Sequence, residues 1–523
     1  MLQRKGNCLK EVYIPTLREI IDTSAEKYGD KPFIKFVRND ETVEKSYADL
    51  RRDVLALCRY LRYTLGGRKH IAVLGSSSYE YIAFILAVIV SGNVAVPLAP
   101  EISAKEAAFL ADFADAQVLI HEQKFGNRVN DFKKLSAKNT HVLNIGNTDA
   151  FEDTVKKFGD GSEYASLSEL EVNKEECCII VFTSGTTGVK KGVMLSTKGL
   201  IGNIMYDDYW NVLCEGYTTL SVLPIHHVFC LSGDIIRNLK DGLTVCLNGD
   251  IRNLGSNLLR FEPHVMRAVP MIAQSLLQKV RVLEDRNPDL TPEEAAGRVF
   301  GKNLRRIISG AAYLNPEMVE EYKRMGIAIR QGYGMTEAGC RISVPDETAP
   351  EGCVGKVINI CDVRISRGEI QVKSPSVMLG YYKLPEKTAE MFTEDGWLRT
   401  GDMGYVTREG YLYITGRLKN LIILSGGENV SPEAIEKKFA DFPVVQEVLI
   451  YEKNDHIAAD IYPNEEYCRI NGIEDIEGAI KERIKVLNYL AKPSHIISEV
   501  TVCDEPLPKT ESGKIVRKTV QIG

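Results

Sequence analysis

The feature that most restricts this chain is a junction. The apolar run Cys177–Phe182 passes without a spacer into Thr183-Ser184-Gly185-Thr186-Thr187-Gly188-Val189-Lys190-Lys191-Gly192-Val193. A compact apolar run bounded by turn residues reads as a buried strand. The eleven residues after it hold three glycines, four hydroxyls and two lysines. Glycines let backbone N–H groups curl around phosphate oxygens, hydroxyls add donors, and a lysine adds mobile positive charge. The fold must therefore bring the carboxyl end of a buried strand up to a phosphate-bearing ligand. Two common phosphate loops do not fit. A Walker loop needs Gly where Lys190 stands, and Gly513-Lys514 is followed by Ile515 rather than Ser or Thr. The dinucleotide fingerprint fails because Gly332-Tyr333-Gly334-Met335-Thr336 leads to Glu337, not to a third Gly.

The first 150 residues alternate helical and strand-like patterns. Leu17–Tyr28 reads as an amphipathic helix and Tyr79–Val90 as a buried one ending at Gly92. Ile71–Leu74, Val94–Val96 and Ala116–Ile120 read as strands. Such alternation predicts α/β architecture with a largely parallel sheet. Further on, Gly368–Val372, Gly410–Ile414 and Leu421–Leu424 read as short strands. Pro432–Phe439 reads as a helix with Ser431 as N-cap and Pro432 in its first turn. The segment Gly416–Asn420 lies between two strands and suits a hinge. At 523 residues the chain has ample length for a core without disulfides or metal. The 12 cysteines include no C-x-x-C, and the N-terminus has no signal-peptide core, so the cysteines are expected reduced and the protein cytoplasmic. The stretch Ile82–Leu98 is too short and too interrupted for a membrane span. A net charge of −6 gives no overall attraction to nucleic acid.

The segment Thr183–Val193 resembles the phosphate loop of the adenylate-forming superfamily, which includes acyl-CoA synthetases, luciferase and peptide-synthetase adenylation domains. Four more motifs follow in the family's order: GYGMTE (Gly332–Glu337), RTGDMGY (Arg399–Tyr405), GRLKNLI with GGENVSPEAIE (Gly416–Glu436), and PKTESGKIVRK (Pro508–Lys518). PIHHVFC (Pro224–Cys230) is a looser sixth. The resemblance implies a large N-terminal domain of α/β subdomains with mixed sheets over residues 1–416. It also implies a small mobile α+β C-terminal domain over 417–523, with its hinge near Lys419.

The resemblance further implies ATP, Mg²⁺ and CoA as reactants. A carboxylate condenses with ATP to acyl-AMP and pyrophosphate, and a thiol then takes the acyl group and releases AMP. Adenylation is needed because a carboxylate's own leaving group would be oxide. On this reading Thr183, Ser184, Gly185, Thr186, Thr187, Gly188 and Lys191 hold the β- and γ-phosphates. Lys190 replaces the family's usual Pro, adding charge and removing a fixed φ. Glu337 is the magnesium carboxylate and Thr336 donates to the α-phosphate. Tyr333, between Gly332 and Gly334, offers a ring to adenine. Asp402 and Arg417 anchor the ribose. Lys514 stabilises the charge that develops on the α-phosphate. Gly426 and Gly427 admit the pantetheine arm on a second face of the C-terminal domain.

By the same resemblance His227 lies near the acyl carboxylate, and Gly310 and Ala311, within Ser309–Tyr313, line the adenine and acyl pocket. No Asp stands where peptide synthetases pair an α-amine, Asp234 being seven residues past His227, so the acid is expected to be unaminated. Cys230 stands where the family often has Gly, and its side chain is expected to obstruct or reshape a long acyl tunnel. The leading expectation is a medium- or long-chain fatty acid passed to CoA. The alternatives are transfer to an acyl carrier protein, or an aryl acid as substrate.

Overall fold

The structure is a computed structural model that describes residues 13–146, 148–159, 172–183, 190–207, 214–424, 429–439, 442–509 and 515–517. Two seven-stranded sheets form its frame. The first runs, in spatial order, Gly380–Tyr381, Lys191–Ser196, Cys177–Thr183, Val94–Leu98, His70–Leu74, Val118–Glu122 and His141–Gly146. Its last five strands pair in parallel, while Cys177–Thr183 and Gly380–Tyr381 pair antiparallel with Lys191–Ser196. The second sheet runs Ala328–Gln331, Arg306–Ser309, Val265–Ala268, Thr218–Ser221, Thr244–Leu247, Pro32–Arg38 and Glu41–Ser46. It is parallel except for the hairpin Pro32–Ser46 at its edge. This is the expected α/β class with mixed sheets.

The helix Tyr79–Val90 shows why these sheets need each other. Every residue of it except Glu80 is buried. A helix apolar all round has no face for water and must lie inside. Ser78 caps it by accepting from the Tyr81 N–H, and the residue after its C-cap is Gly92, at φ 80°. The amphipathic helix Leu17–Tyr28 begins with a reciprocal Thr16–Glu19 capping box and buries Leu17, Ile20 and Ile21 in the same core. Among the described residues no helix is long and apolar enough to cross a membrane. The described cysteines are all free and mostly buried.

A four-stranded antiparallel sheet follows: Asp362–Ser366, Glu369–Lys373, Leu398–Val406 and Leu412–Arg417. Beyond it a three-stranded sheet, Val445–Lys453, His456–Pro463 and Ile497–Val502, carries the helix Ile476–Tyr489 and a separate core around Ile450, Ile461 and Ile480. Several expected bounds shift. The strand expected from Ala116 starts at Val118, because the Ala116 N–H is spent on the Ala111 carbonyl at the end of the preceding helix. The strand expected from Gly410 starts at Leu412, because Thr407–Gly410 closes a turn. Ser431 does precede the helix Pro432–Glu436, but its hydroxyl makes no cap bond. It donates instead to the Thr415 carbonyl at 2.9 Å, tying the helix to the strand before it.

Candidate active site

Topology gathers the expected residues. In the second sheet the chain goes from Thr218–Ser221 to its neighbour Thr244–Leu247, then crosses to Val265–Ala268 on the other side. That reversal is a topological switch point, where the carboxyl ends of parallel strands open a crevice. His226 and His227 follow the first of these strands. Ser309-Gly310-Ala311 ends the next strand over, and Gly332-Tyr333-Gly334 follows the one after that. Thr183 ends its strand in the other sheet, paired with Lys191.

Asp402 is the most fully held of the expected residues. It is buried, on the strand Leu398–Val406, and pairs in register with Arg417. Arg417 Nε reaches Asp402 Oδ1 at 2.7 Å, and Tyr333 donates its hydroxyl to Asp402 Oδ2 at 2.5 Å. Burial, with the Asp402 charge, holds the Tyr333 phenol far above its ordinary value, so it stays a donor. Tyr333, Asp402 and Arg417 thus form one unit at the head of the Gly416–Asn420 segment. Gly334 turns the backbone tightly beneath it: a Cβ there would stand 1.6 Å from the Cys340 carbonyl oxygen. No other residue fits at that position.

Glu337 and Thr336 lie on a single 3₁₀ turn, Thr336–Ala338. Tyr381 was not singled out by the sequence, yet it donates its hydroxyl to Glu337 Oε1 at 2.7 Å. Lys191 Nζ lies 4.7 Å from the centroid of the same ring. The structure therefore brings the loop lysine and the expected metal carboxylate onto one tyrosine. Among the described residues no group of three or more His, Cys, Asp or Glu could hold a metal. A lone carboxylate suits Mg²⁺, which takes one or two carboxylates and completes its shell with phosphate oxygens and water. It does not suit a structural zinc. Lys190, expected as extra loop charge, is instead ion-paired to Glu106 of the helix Ala104–Phe113.

The His226 and His227 rings pack tilted at 46°, with centroids 4.3 Å apart. Burial, with His227 and Lys190 nearby, pushes His226 down to about 3. His227 is exposed, yet the protein around it also lowers its value, with Glu101 opposing. Both rings are neutral at neutral pH. Ala311 has φ 68°, an uncommon left-handed conformation for a residue with a Cβ, and strain of this kind gathers at functional sites. Beside it, the Phe229 ring comes within 2.9 Å of where a Gly310 Cβ would stand. Cys230 is fully buried, its thiol 3.3 Å from the Ser221 hydroxyl.

Lys419 lies in the 3₁₀ turn Leu418–Asn420 and is exposed. Asn420 stands where the family often has an acid, and donates to Glu433 at 2.5 Å. From the helix side, Lys437 sits 4.8 Å over the Tyr313 ring and donates to the Ile414 carbonyl. The C-terminal part thereby touches the Ser309–Tyr313 segment. Ser184, Gly185, Thr186, Thr187, Gly188, Gly426, Gly427 and Lys514 lie outside the described residues. The described flanks of Lys514 are tied down: Lys509 pairs with Glu447, and Arg517 with Glu436 at 2.5 Å.

The chain is 26% identical over 548 residues to a 4-coumarate–CoA ligase of Petroselinum crispum, covering 98% of this chain and 95% of the relative. It is 29% identical over 499 residues to a feruloyl-CoA synthase of Amycolatopsis sp, covering 91% and 93%. An anthranilate CoA ligase solved with anthranoyl-AMP shares the fold at a TM-score of 0.79 and 19% identity, covering 97% of both chains. The sequence profile described as AMP-binding enzyme C-terminal domain matches residues 419–521. The profile described as AMP-binding enzyme matches residues 21–382, most of the chain, and the chain belongs to that family.

Proposed function

We propose that this protein is an acid–thiol ligase that activates a compact, aromatic carboxylic acid as its acyl-adenylate and passes the acyl group to CoA. The observation that carries this reading is the Tyr333–Asp402–Arg417 unit next to the Thr336–Glu337 turn. A carboxylate whose two oxygens are already oriented is preorganised to accept from the two ribose hydroxyls of ATP. Thr183 and Lys191 border the phosphates, and Lys191 brings the cation. Glu337 would hold Mg²⁺, which when bound supplies charge neutralisation at the phosphates. Lys514 supplies the ammonium that is most stabilising once negative charge grows on the α-phosphorus oxygens. Neutral His226 and His227 put no competing cation beside the incoming carboxylate. In the second half-reaction the CoA sulfur attacks the acyl carbon, a thioester forms, and the acyl–AMP bond breaks to release AMP.

The choice of acid rests on what lies behind Phe229. Cys230, Ser221, Asp234 and Arg267 form a buried polar cluster there. A long polymethylene tail laid along buried charge would gain nothing by leaving water. A flat, compact acid ending near Phe229 avoids that cost, and the parsley and Amycolatopsis relatives bear the names of aryl-acid ligases. A medium-chain fatty acid is the second reading, and transfer to a carrier protein the third. Pyrophosphate release with ATP, Mg²⁺, CoA and a panel of aryl and straight-chain acids tests all three. Release with aryl acids and formation of their CoA thioesters is the expected result. Absence of acid-dependent release across the panel overturns the reading. Lys514→Ala should lower adenylation on the order of 10²–10³-fold and spare thioester formation from supplied acyl-AMP.

A further inference from the structure

The acyl side of the site carries more positive charge than its own residues balance. Arg267 stands in the strand Val265–Ala268, and Arg341 follows Cys340 just past the Thr336–Ala338 turn. They are 1% and 6% exposed. Both crowd the same backbone point: a Cβ on Gly233 would stand 2.1 Å from Arg341 Nη2 and 3.4 Å from Arg267 Nε. Among the described residues one carboxylate is at hand. Arg267 Nη1 reaches Asp234 Oδ1 at 2.8 Å, and the other oxygen of Asp234 accepts from the Ser221 hydroxyl at 3.2 Å. Among the described residues Arg341 Nη1 finds only neutral acceptors, the Ser232 hydroxyl at 3.1 Å and the Asn203 amide oxygen at 3.3 Å. Nη2 of Arg267 and Nη2 of Arg341 are both buried without a hydrogen-bond partner. Arg237 nearby adds no anion, because Asp241 is committed to it.

Two guanidinium groups thus share one carboxylate, and each keeps an unused donor. A guanidinium cannot escape by losing its proton. A buried, unpaired charge is among the costliest features a core can hold. The position of the pair suggests what offsets that cost. Phe229 lies two residues after His227. Its ring edge rests against Gly310, and its centroid is 5.9 Å from the Arg341 guanidinium carbon. The ring therefore joins the segment expected to line the acyl pocket to the arginine pair.

We propose that the acid activated here carries a second carboxylate, which seats on Arg341 and Arg267 at the inner end of the acyl pocket while the first carboxylate reacts with ATP near His227. This rests on the acid-activating reading above. A planar carboxylate matches two guanidinium donors. An acid without it leaves those donors buried and unpaired, and that omission is what lets a polar site reject an analogue strongly. Asp234 then orients Arg267 rather than neutralising the pair.

The test uses the full chain and two matched pairs of acids, 4-carboxycinnamate against cinnamate and adipate against hexanoate. Pyrophosphate release is measured with ATP, Mg²⁺ and CoA, and acid binding by calorimetry without turnover. The diacid should win within at least one pair by roughly tenfold or more in kcat/KM. Arg341→Met should reverse that preference, and Arg341→Lys should restore part of it. Preference for the monoacid in both pairs, in turnover and in binding, overturns the inference and leaves the ligase reading intact. That result would make water the partner of the two arginines. Arginine-dependent binding of diacids without pyrophosphate release supports the subsite and overturns the ligase reading. Should Arg341→Met fail to fold, the wild-type ratios alone decide.

Discussion

Two carboxylate–guanidinium pairs flank the candidate site, one on the side proposed to hold the nucleotide and one on the side proposed to hold the acid, and their surroundings make them opposites. Asp402 and Arg417 sit across paired strands, and Arg417 keeps 44% of its side chain in solvent. Arg417's charge stays hydrated although Asp402 is buried, so the pair costs less to hold and its arginine can exchange partners with a ligand. Asp234 and Arg267 are 0% and 1% exposed. Burial there pushes the Asp234 carboxyl up, with Arg267 pulling against it. Removing two charges from water is offset only by good geometry and further hydrogen bonds, and here a second arginine adds to the cost. An exposed pair is a handle for a ligand. A buried pair with a surplus cation fits a site completed by one.

Substituting the acid of each pair separates the two cases. Asp234→Ala has the largest expected effect, on stability. It strands two buried guanidinium groups, and breaking such a pair costs about 3–5 kcal/mol. Scanning calorimetry should show a larger loss for it than for Asp402→Asn or Tyr333→Phe. The double change Asp234→Leu with Arg267→Met should recover much of that loss. A loss under about 1 kcal/mol for Asp234→Ala would mean that the pair behaves like a surface one. Asp402→Asn should invert the pattern. Two charge-assisted hydrogen bonds at about 1.5–3 kcal/mol each predict a fall in kcat/KM for ATP on the order of 10²-fold or more. Its cost in stability should be the smaller of the two, since Arg417 returns to water. Equal stability losses would dissolve the comparison.

A finer cut lies within the nucleotide-side pair. Tyr333→Phe removes one donor to Asp402 and leaves Arg417 in place. A single hydrogen bond of about 1 kcal/mol predicts a several-fold rise in KM for ATP. Because the group lost orients Asp402, kcat should move less than KM. A fall confined to kcat would assign the hydroxyl to chemistry rather than to positioning.

The Tyr333–Asp402–Arg417 unit was legible in the sequence because its residues come in compact motifs: Tyr333 within GYGMTE, Asp402 within RTGDMGY, Arg417 at the start of GRLKNLI. Helix periodicity also found Leu17–Tyr28 and Tyr79–Val90 with the bounds the structure gives them. Strand ends were harder to place, since they depend on neighbours, as Ala116 does on Ala111. The acyl side left a fainter trace. Asp234 meets Arg267 across 33 residues, and Ser232 meets Arg341 across 109. Each is unremarkable where it stands. The one local signal was Arg267 itself, a lone cation inside the apolar run Val265–Val269, which demands a buried partner without naming it. Tyr381 carried no signal, because its role depends on two sheets meeting.

A last effect, read across a pH range rather than at one pH, concerns the neutral histidines His226 and His227. In the unfolded chain His226 titrates near 6.5; in the folded one burial, with His227 and Lys190, holds it at about 3. Between those values the unfolded state binds a proton that the folded state refuses. Stability contributed by neutral His226 is therefore complete above about pH 6.5 and drains away as pH falls toward 3, at up to about 1.4 kcal/mol per pH unit for one proton. Unfolding midpoints from pH 7 down to pH 5 should fall less steeply for His226→Gln than for the natural chain. Activity at pH 7 to 8 should show no inflection from this residue, because it carries no proton to lose. If the two stability profiles run parallel, the ring is better hydrated than its burial implies. The acid's entry would then pass a chargeable wall rather than a neutral one.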